Sequence, residues 1–290
     1  MNRILLGMVA ILLTLQGIAQ TDTTAKKDQV DTIHVGNFVI IQRNKDRNYS
    51  SDTNYNNRNY SFDINLFGNN RVRNYHSNIS TNWFIFDVGF ANWRDKTAYG
   101  SAEVNNFLRP GTGAPFTKSD LKLITAKSTN VNVWIFMQKL NIAKHVLNLK
   151  YGLGLEMYNY RYDNNITYNK NPVYIFRDSV NFSKNKLYVG YLTVPFMLNI
   201  NATPQKKRGF SISTGVSAGY RVGTHTKQKS SERGKDKLSG DFDLDPWRFS
   251  YIAELGIGPV RVYGSYSINA LQQDAVKQYP YAVGIRFSNW

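Results

Sequence analysis

His225, Ser230, Ser231 and Glu232 place a base, two hydroxyls and a carboxylate in one short stretch, the side-chain types that an acyl-transfer enzyme uses. A hydroxyl becomes a nucleophile only when a base lies within hydrogen-bond reach and a third group orients that base. Spacing within a loop supplies neither condition. The four also sit among Lys227, Lys229, Arg233, Lys235 and Lys237, in a segment that reads as a mobile, solvated loop. That basic run suits a different chemistry, the holding of phosphate or sulfate by charge. Further on, Asp241, Asp243 and Asp245 have the alternate-carboxylate spacing of a calcium loop, but Pro246 stands where the loop needs glycine and Ile252 where it needs a bidentate glutamate. The segment reads rather as a cap above a strand. With four His and no Cys, a structural zinc site is not expected either. No catalytic, cofactor-binding or metal-binding set is assigned.

A second group of ionisable residues is defined by period rather than by proximity. From His145 to Tyr160 the chain alternates: Leu147, Leu149, Tyr151, Leu153, Leu155 and Met157 fall on one face, and Asn148, Lys150, Gly152, Gly154 and Glu156 on the other. Period two means a strand. The apolar face runs for about 10 residues, the length a tilted strand needs to cross a bilayer. Small and charged residues behind it suit the crowded, polar interior of a barrel.

The start of the chain gives an address. Arg3, the apolar run Ile4 to Leu15, and small residues at Gly17 and Ala19 predict a secretory signal peptide over residues 1–19. No later run is long and apolar enough for a membrane helix. Without cysteine there is neither a disulfide nor a lipidated Cys. The net charge of +16 would ordinarily raise nucleic acid as a partner, but export argues against it. Anionic lipid head groups and acidic surface polysaccharide are the better candidates, with simple solubilising loop charge as the plain alternative. The 19 Tyr, 16 Phe and 5 Trp suit the aromatic girdles of a membrane barrel.

Residues 20–80 read as a polar leader followed by one or two β elements, in Ile33 to Gln42 and Ser61 to Phe67, and are expected to be a short, partly disordered periplasmic extension, the alternative being that residues 33–80 add to the barrel. From residue 81 to 290 the alternation becomes regular. Phe84, Phe86, Val88 and Phe90 oppose Ile85, Asp87, Gly89 and Ala91; Val131, Val133, Ile135 and Met137 oppose Asn130, Asn132, Trp134 and Gln138. The strand already described and five more follow, the last ending at Phe287. The connections run long, short, long, short, long, short, intermediate, as an outer-membrane barrel with both termini in the periplasm requires. The predicted fold is therefore all-β, an eight-stranded antiparallel up-and-down transmembrane β-barrel. Eight strands enclose only enough room for their own side chains, here including Trp134, Phe136 and Tyr263, which disfavours a diffusion pore.

Those strands position the charges. Asp87 on the first strand and Arg286 on the last lie at similar heights, and these strands must pair to close the barrel. Lys150 and Glu254 fall in the same lumen layer, Glu156, Arg248 and Arg221 form another nearer the outside, and Arg261 faces inward as well. An isolated buried charge is costly, so pairing is expected, the plain alternative being that each charge meets only lumen water. Lys206, Lys207 and Arg208 form a second basic cluster at a short turn.

The runs TNWFIFDVGFANW, NVNVWIFMQKLNI, HVLNLKYGLGLEMYNYRYDNN and YAVGIRFSNW resemble the PorT-like outer-membrane β-barrel family of Bacteroidetes-type bacteria, over roughly residues 80–290. The resemblance implies an outer-membrane barrel without enzymatic activity. Its end departs from the pattern, since continuing the outward face from Phe287 puts Asn289, not the terminal Trp290, toward lipid. The expected role is structural or envelope-docking, and the alternative is a lipid-modifying outer-membrane hydrolase. Expected partners are outer-membrane lipid, including anionic glycolipid, the barrel-assembly machinery through the C-terminal strand, and another envelope protein.

Overall fold

A computed structural model describes residues 31–35, 38–42, 78–111, 113–204 and 209–288. The expectations for the signal peptide, the Ser61 to Phe67 strand, the Lys206 to Arg208 cluster and the register at Trp290 lie outside the described residues. The chain divides into two units, Met1–Ile64 and Asn65–Trp290. In the first, β1 (Asp31–Val35) and β2 (Phe38–Gln42) pair antiparallel, from Asp31 opposite Gln42 to Val35 opposite Phe38.

The second unit is the barrel. Its eight strands are β3 (Ile79–Asp95), β5 (Thr129–Ala143), β6 (Leu147–Arg161), β9 (Lys184–Asn201), β10 (Phe210–Ser230), β12 (Trp247–Ile257), β13 (Val260–Ser267) and β14 (Gln278–Phe287). Each pairs antiparallel with the next, and β14 returns to β3 over ten residue pairs, so the sheet has no free edge. Closure satisfies the backbone internally, which is what a strand protein needs in hydrocarbon. Short turns and the ends of β3 and β14 gather at one rim, and the long connections at the other.

Burial is inverted relative to a water-soluble protein. Phe90, Phe196 and Phe287 are 57%, 53% and 61% exposed, while Asp87, Lys150 and Glu254 are at most 3% exposed. Tyr220 and Trp247 meet edge to face at 5.0 Å, and Trp247 stacks on Phe249, at the loop-side margin of the apolar band. The bilayer is the apolar solvent of this fold. Phe196→Arg, at mid-strand, is expected to destabilise by about 2–4 kcal/mol, whereas Val222→Arg near the margin should cost about 0–1 kcal/mol. Urea unfolding in lipid vesicles would measure both; equal costs would contradict the assignment of the outer face.

The pairing of β3 with β5 departs from strict alternation. Met137, expected outside, is fully buried in the lumen, and Phe136, expected inside, meets Trp83 at 6.0 Å on the other face. The pairing skips between Trp134 and Phe136, and opposite the skip Phe84 has a φ of 52°. A bulge displaces every later residue to the opposite face.

The long connections carry secondary structure of their own. They hold α1 (Ala102–Phe107), capped by Ser101, whose Oγ accepts from the Val104 amide. They also hold β4 (Leu108–Arg109), β7 (Ile166–Lys170) and β8 (Val173–Arg177), a small three-stranded sheet, and β11 (Gly234–Ser239), which extends β10. Val104, Leu108, Leu121, Ile166, Ile175, Leu244 and Leu271 bury against one another and against Trp93, Tyr158, Tyr160 and Tyr191 at the top of the lumen. The crown and the upper barrel therefore share one core.

Candidate functional site

The lumen charges come together in two layers. In the lower, Arg286 holds Asp87 in a fork, Nε to Oδ1 at 2.8 Å and Nη2 to Oδ2 at 2.7 Å, across the closing seam. Its Nη1 reaches Glu254 Oε2 at 2.6 Å, and Glu254 Oε1 accepts from Lys150 at 2.7 Å and Arg261 at 3.1 Å. Asp87 accepts further from Trp134 Nε1 and Asn132 Nδ2. Buried charges persist when their remaining hydrogen-bond capacity is used in this way.

In the upper layer Arg248 Nη1 donates to Glu156 Oε2 at 2.7 Å, and its guanidinium lies 4.7 Å from the Tyr158 ring centre. Arg221 does not join them. A shift in pairing between Arg221 and Gly223 sits at the rim, and the guanidinium leaves the lumen for Asp241, donating to its carbonyl at 2.7 Å and lying 3.3 Å from its carboxylate. Between the layers Tyr263 spans the lumen to donate to Asn130 Oδ1 at 2.6 Å. Its ring needs the glycines beneath it, since a Cβ on Gly284 would lie 2.8 Å from the ring and one on Gly89 2.7 Å from the hydroxyl. The space left between Trp134, Glu156, Met197, Tyr263 and Arg286 is a cavity of about 20 Å³, room for one water.

The nucleophile set does not assemble. His225 and Ser230 lie five residues apart on β10, so their side chains point to opposite faces of the strand. His225 stacks on Tyr188 at 4.6 Å, and Ser230 Oγ accepts from the Arg233 amide inside the hairpin turn. The three aspartates diverge as well. Asp241 takes Arg221, Asp245 accepts from the Trp247 amide and Asn269, and Asp243 lines an open cavity of about 620 Å³ with Glu103, Asp274 and Lys277. Burial, and then Asp274, raise the Asp243 carboxyl pKa.

The basic run is an exposed hairpin rather than an irregular loop: Lys227 faces Lys237 and Lys229 faces Lys235 across β10 and β11. Arg233, at the turn, separates from the lysines and pairs with Asp178 at 2.7 Å. Arg161, Lys184 and Lys186 join this group from β6 and β9, outside the stretch whose charge density marks it in the sequence. The signal was the alternation of KNKLYVGY, which runs β9 up to Lys184.

Two aspartates tie the crown together. Asp120 takes Nε and Nη2 of Arg177 at 2.8 and 2.9 Å, and Asp178 takes Arg233 and Thr167. Burial alone would raise both carboxyls, but these hydrogen bonds and charges outweigh it and hold both below the usual aspartate pKa. A depressed folded pKa contributes stability above the unfolded value that is lost as pH falls through the folded one. Amide protection factors in residues 113–124 and 173–183, taken against the intrinsic exchange rate at each pH, should therefore fall below pH ~4 while those of the barrel strands hold. Protection factors in these segments that are the same at pH 7 and pH 3 would contradict this.

An antiparallel sheet closed on itself, apolar outside and charged within, defines an integral membrane β-barrel. A profile of the family described as "Outer membrane protein beta-barrel domain" matches residues 97–272, more than half of the chain, which belongs to that family and is an outer-membrane protein. Among solved structures, Ail, the attachment invasion locus protein of Yersinia pestis, is similar at 15% identity with a TM-score of 0.32, over 71% of this chain and 98% of that one. No curated protein matches.

Proposed function

We propose that the protein is a non-catalytic barrel of the PorT-like kind whose folded crown serves as a structural or docking element of the envelope. The observation that carries this reading is the filled interior. Among the described residues, two layers of ion pairs and an aromatic core occupy the lumen from Lys150 to Tyr160, which we read as closing it to solutes. Mass invested in a rigid crown rather than in an open lumen suits contact with other envelope components. Export through a cleaved signal peptide, with the crown outside the cell, belongs to the same reading.

The competing reading is a hydrolase of outer-leaflet lipid. The opposite facing of His225 and Ser230 speaks against it. The folded chain, incubated with purified lipid A or phospholipid, is expected to release no more fatty acid than protein-free vesicles. Release that disappears in the Ser230→Ala, Ser231→Ala double variant would establish the hydrolase instead.

A further inference from the structure

Above the apolar band, the outer face of the barrel wall turns from lipid-like to cationic within a few residues. Pairing across four strands places Arg161 beside Lys186, Lys186 beside Lys227 and Lys227 beside Lys237, and a second row sets Lys184 beside Lys229 and Lys229 beside Lys235. All seven share one face, since residues two apart on a strand do so and the shift after Arg221 brings β10 into phase. Like charges directly opposite in a sheet are destabilising. Here they are stacked in two consecutive rows, and among the described residues no carboxylate lies within ion-pair distance of any of the six lysines.

The charges act on one another. Lys227 has its pKa lowered by Lys235 first, with smaller contributions from burial, Lys184 and Lys237. Lys186 is lowered by burial and then by Lys184, Lys227 and Arg161. The opposite side of the same strands is pinned to the crown, where Gln228 Nε2 donates to Ile166 O and to Thr167 Oγ1, each at 2.9 Å. The cations are therefore held in place on a rigid sheet. A fold that keeps such an arrangement at a cost to its own stability is built for an anion.

We infer that this face of β6, β9, β10 and β11 binds the phosphate groups of a phosphorylated glycolipid in the leaflet on the loop side of the membrane. The reading rests on the outer-membrane barrel. Position selects the occupant: the face continues the lipid-exposed wall upward, so a membrane-anchored ligand meets it without leaving the bilayer. Lys227 stands on the order of 15 Å above Tyr220, at ~3.3 Å per residue along a strand tilted by ~40°. The polar layer of a phospholipid leaflet is only about 5–8 Å deep. Phosphates carried on sugars reach higher. Tyr188 and the His225 ring stacked on it offer a flat apolar surface at the foot of the patch, suited to a sugar face.

The test uses the full chain folded in zwitterionic micelles and counts bound lipid by native mass spectrometry, with diphosphorylated lipid A as probe. Its dephosphorylated form, phosphatidylglycerol and inorganic phosphate are comparison ligands. The wild type should bind the diphosphorylated lipid at least about tenfold more tightly than any comparison ligand, and the Lys186→Gln, Lys227→Gln, Lys229→Gln, Lys235→Gln variant should lose that margin. A charge-matched control, Lys118→Gln, Lys122→Gln, Lys144→Gln, Lys277→Gln, should keep it. Equal binding of the dephosphorylated lipid, equal loss in the control, or displacement by inorganic phosphate would each overturn the proposal. Migration before and after boiling, run on every sample, reports the barrel separately from the site. If the fourfold variant fails to fold, the wild-type preference among the four ligands decides alone.

Discussion

Arg286→Ala is expected to destabilise the barrel by about 3–5 kcal/mol, the cost of leaving a buried charge without its partner. Two carboxylates lose a donor at once, Asp87 its fork and Glu254 its 2.6 Å bond. Asp87→Asn alone should also destabilise, because the fork then faces an amide that must donate where it should accept. The double variant should be less damaged than the sum of the two, with a coupling of about 0.5–3 kcal/mol. Urea unfolding in vesicles of both singles and the double gives that number. Strict additivity would show that β3 and β14 are joined by backbone hydrogen bonds and packing alone.

The upper layer predicts a comparable loss in a different place. Arg248→Ala strands Glu156 and removes the cation lying over Tyr158 and, at 6.0 Å, over Tyr191. A loss of about 3–5 kcal/mol is expected, and with it looser packing where the lumen core joins the crown. Glu156→Gln on that background should recover part of it. Amide exchange should quicken in Tyr158 to Tyr162 and Leu187 to Tyr191 well before the turn-side half of the strands. Loss confined to the turn side would contradict the layered arrangement.

What was legible in the sequence was whatever obeys a period of two. The strands, their outward faces and the alternation of long and short connections follow from that period and from the membrane's demand for an unbroken apolar face. So does the presence of charge behind those faces, although which charge meets which depends on shear between strands. Arg221 illustrates the difference: its parity is inward, but at the rim its guanidinium reaches Asp241 of the crown instead of Glu156. Met137 shows it again, displaced by a bulge that no residue type announces. The crown was illegible for another reason. Phe107, Leu108, Leu121, Leu123, Ile175 and Leu271 come one or two at a time among polar residues, and their shared core exists only once connections far apart in sequence meet. The cationic rows were half visible, as the lysines of one hairpin. Their other half lies on β6 and β9, where the strands continue past the membrane.

Ion flow tests whether the lumen is sealed. The full chain, shown by its migration before and after boiling to be folded, is inserted into a planar bilayer under an applied voltage. A baseline current is expected, because Arg286, Glu254, Arg248 and Tyr263 cross the lumen and Tyr158 and Tyr160 pack above them. Stable, reproducible steps of conductance that scale with the amount of inserted protein would contradict it.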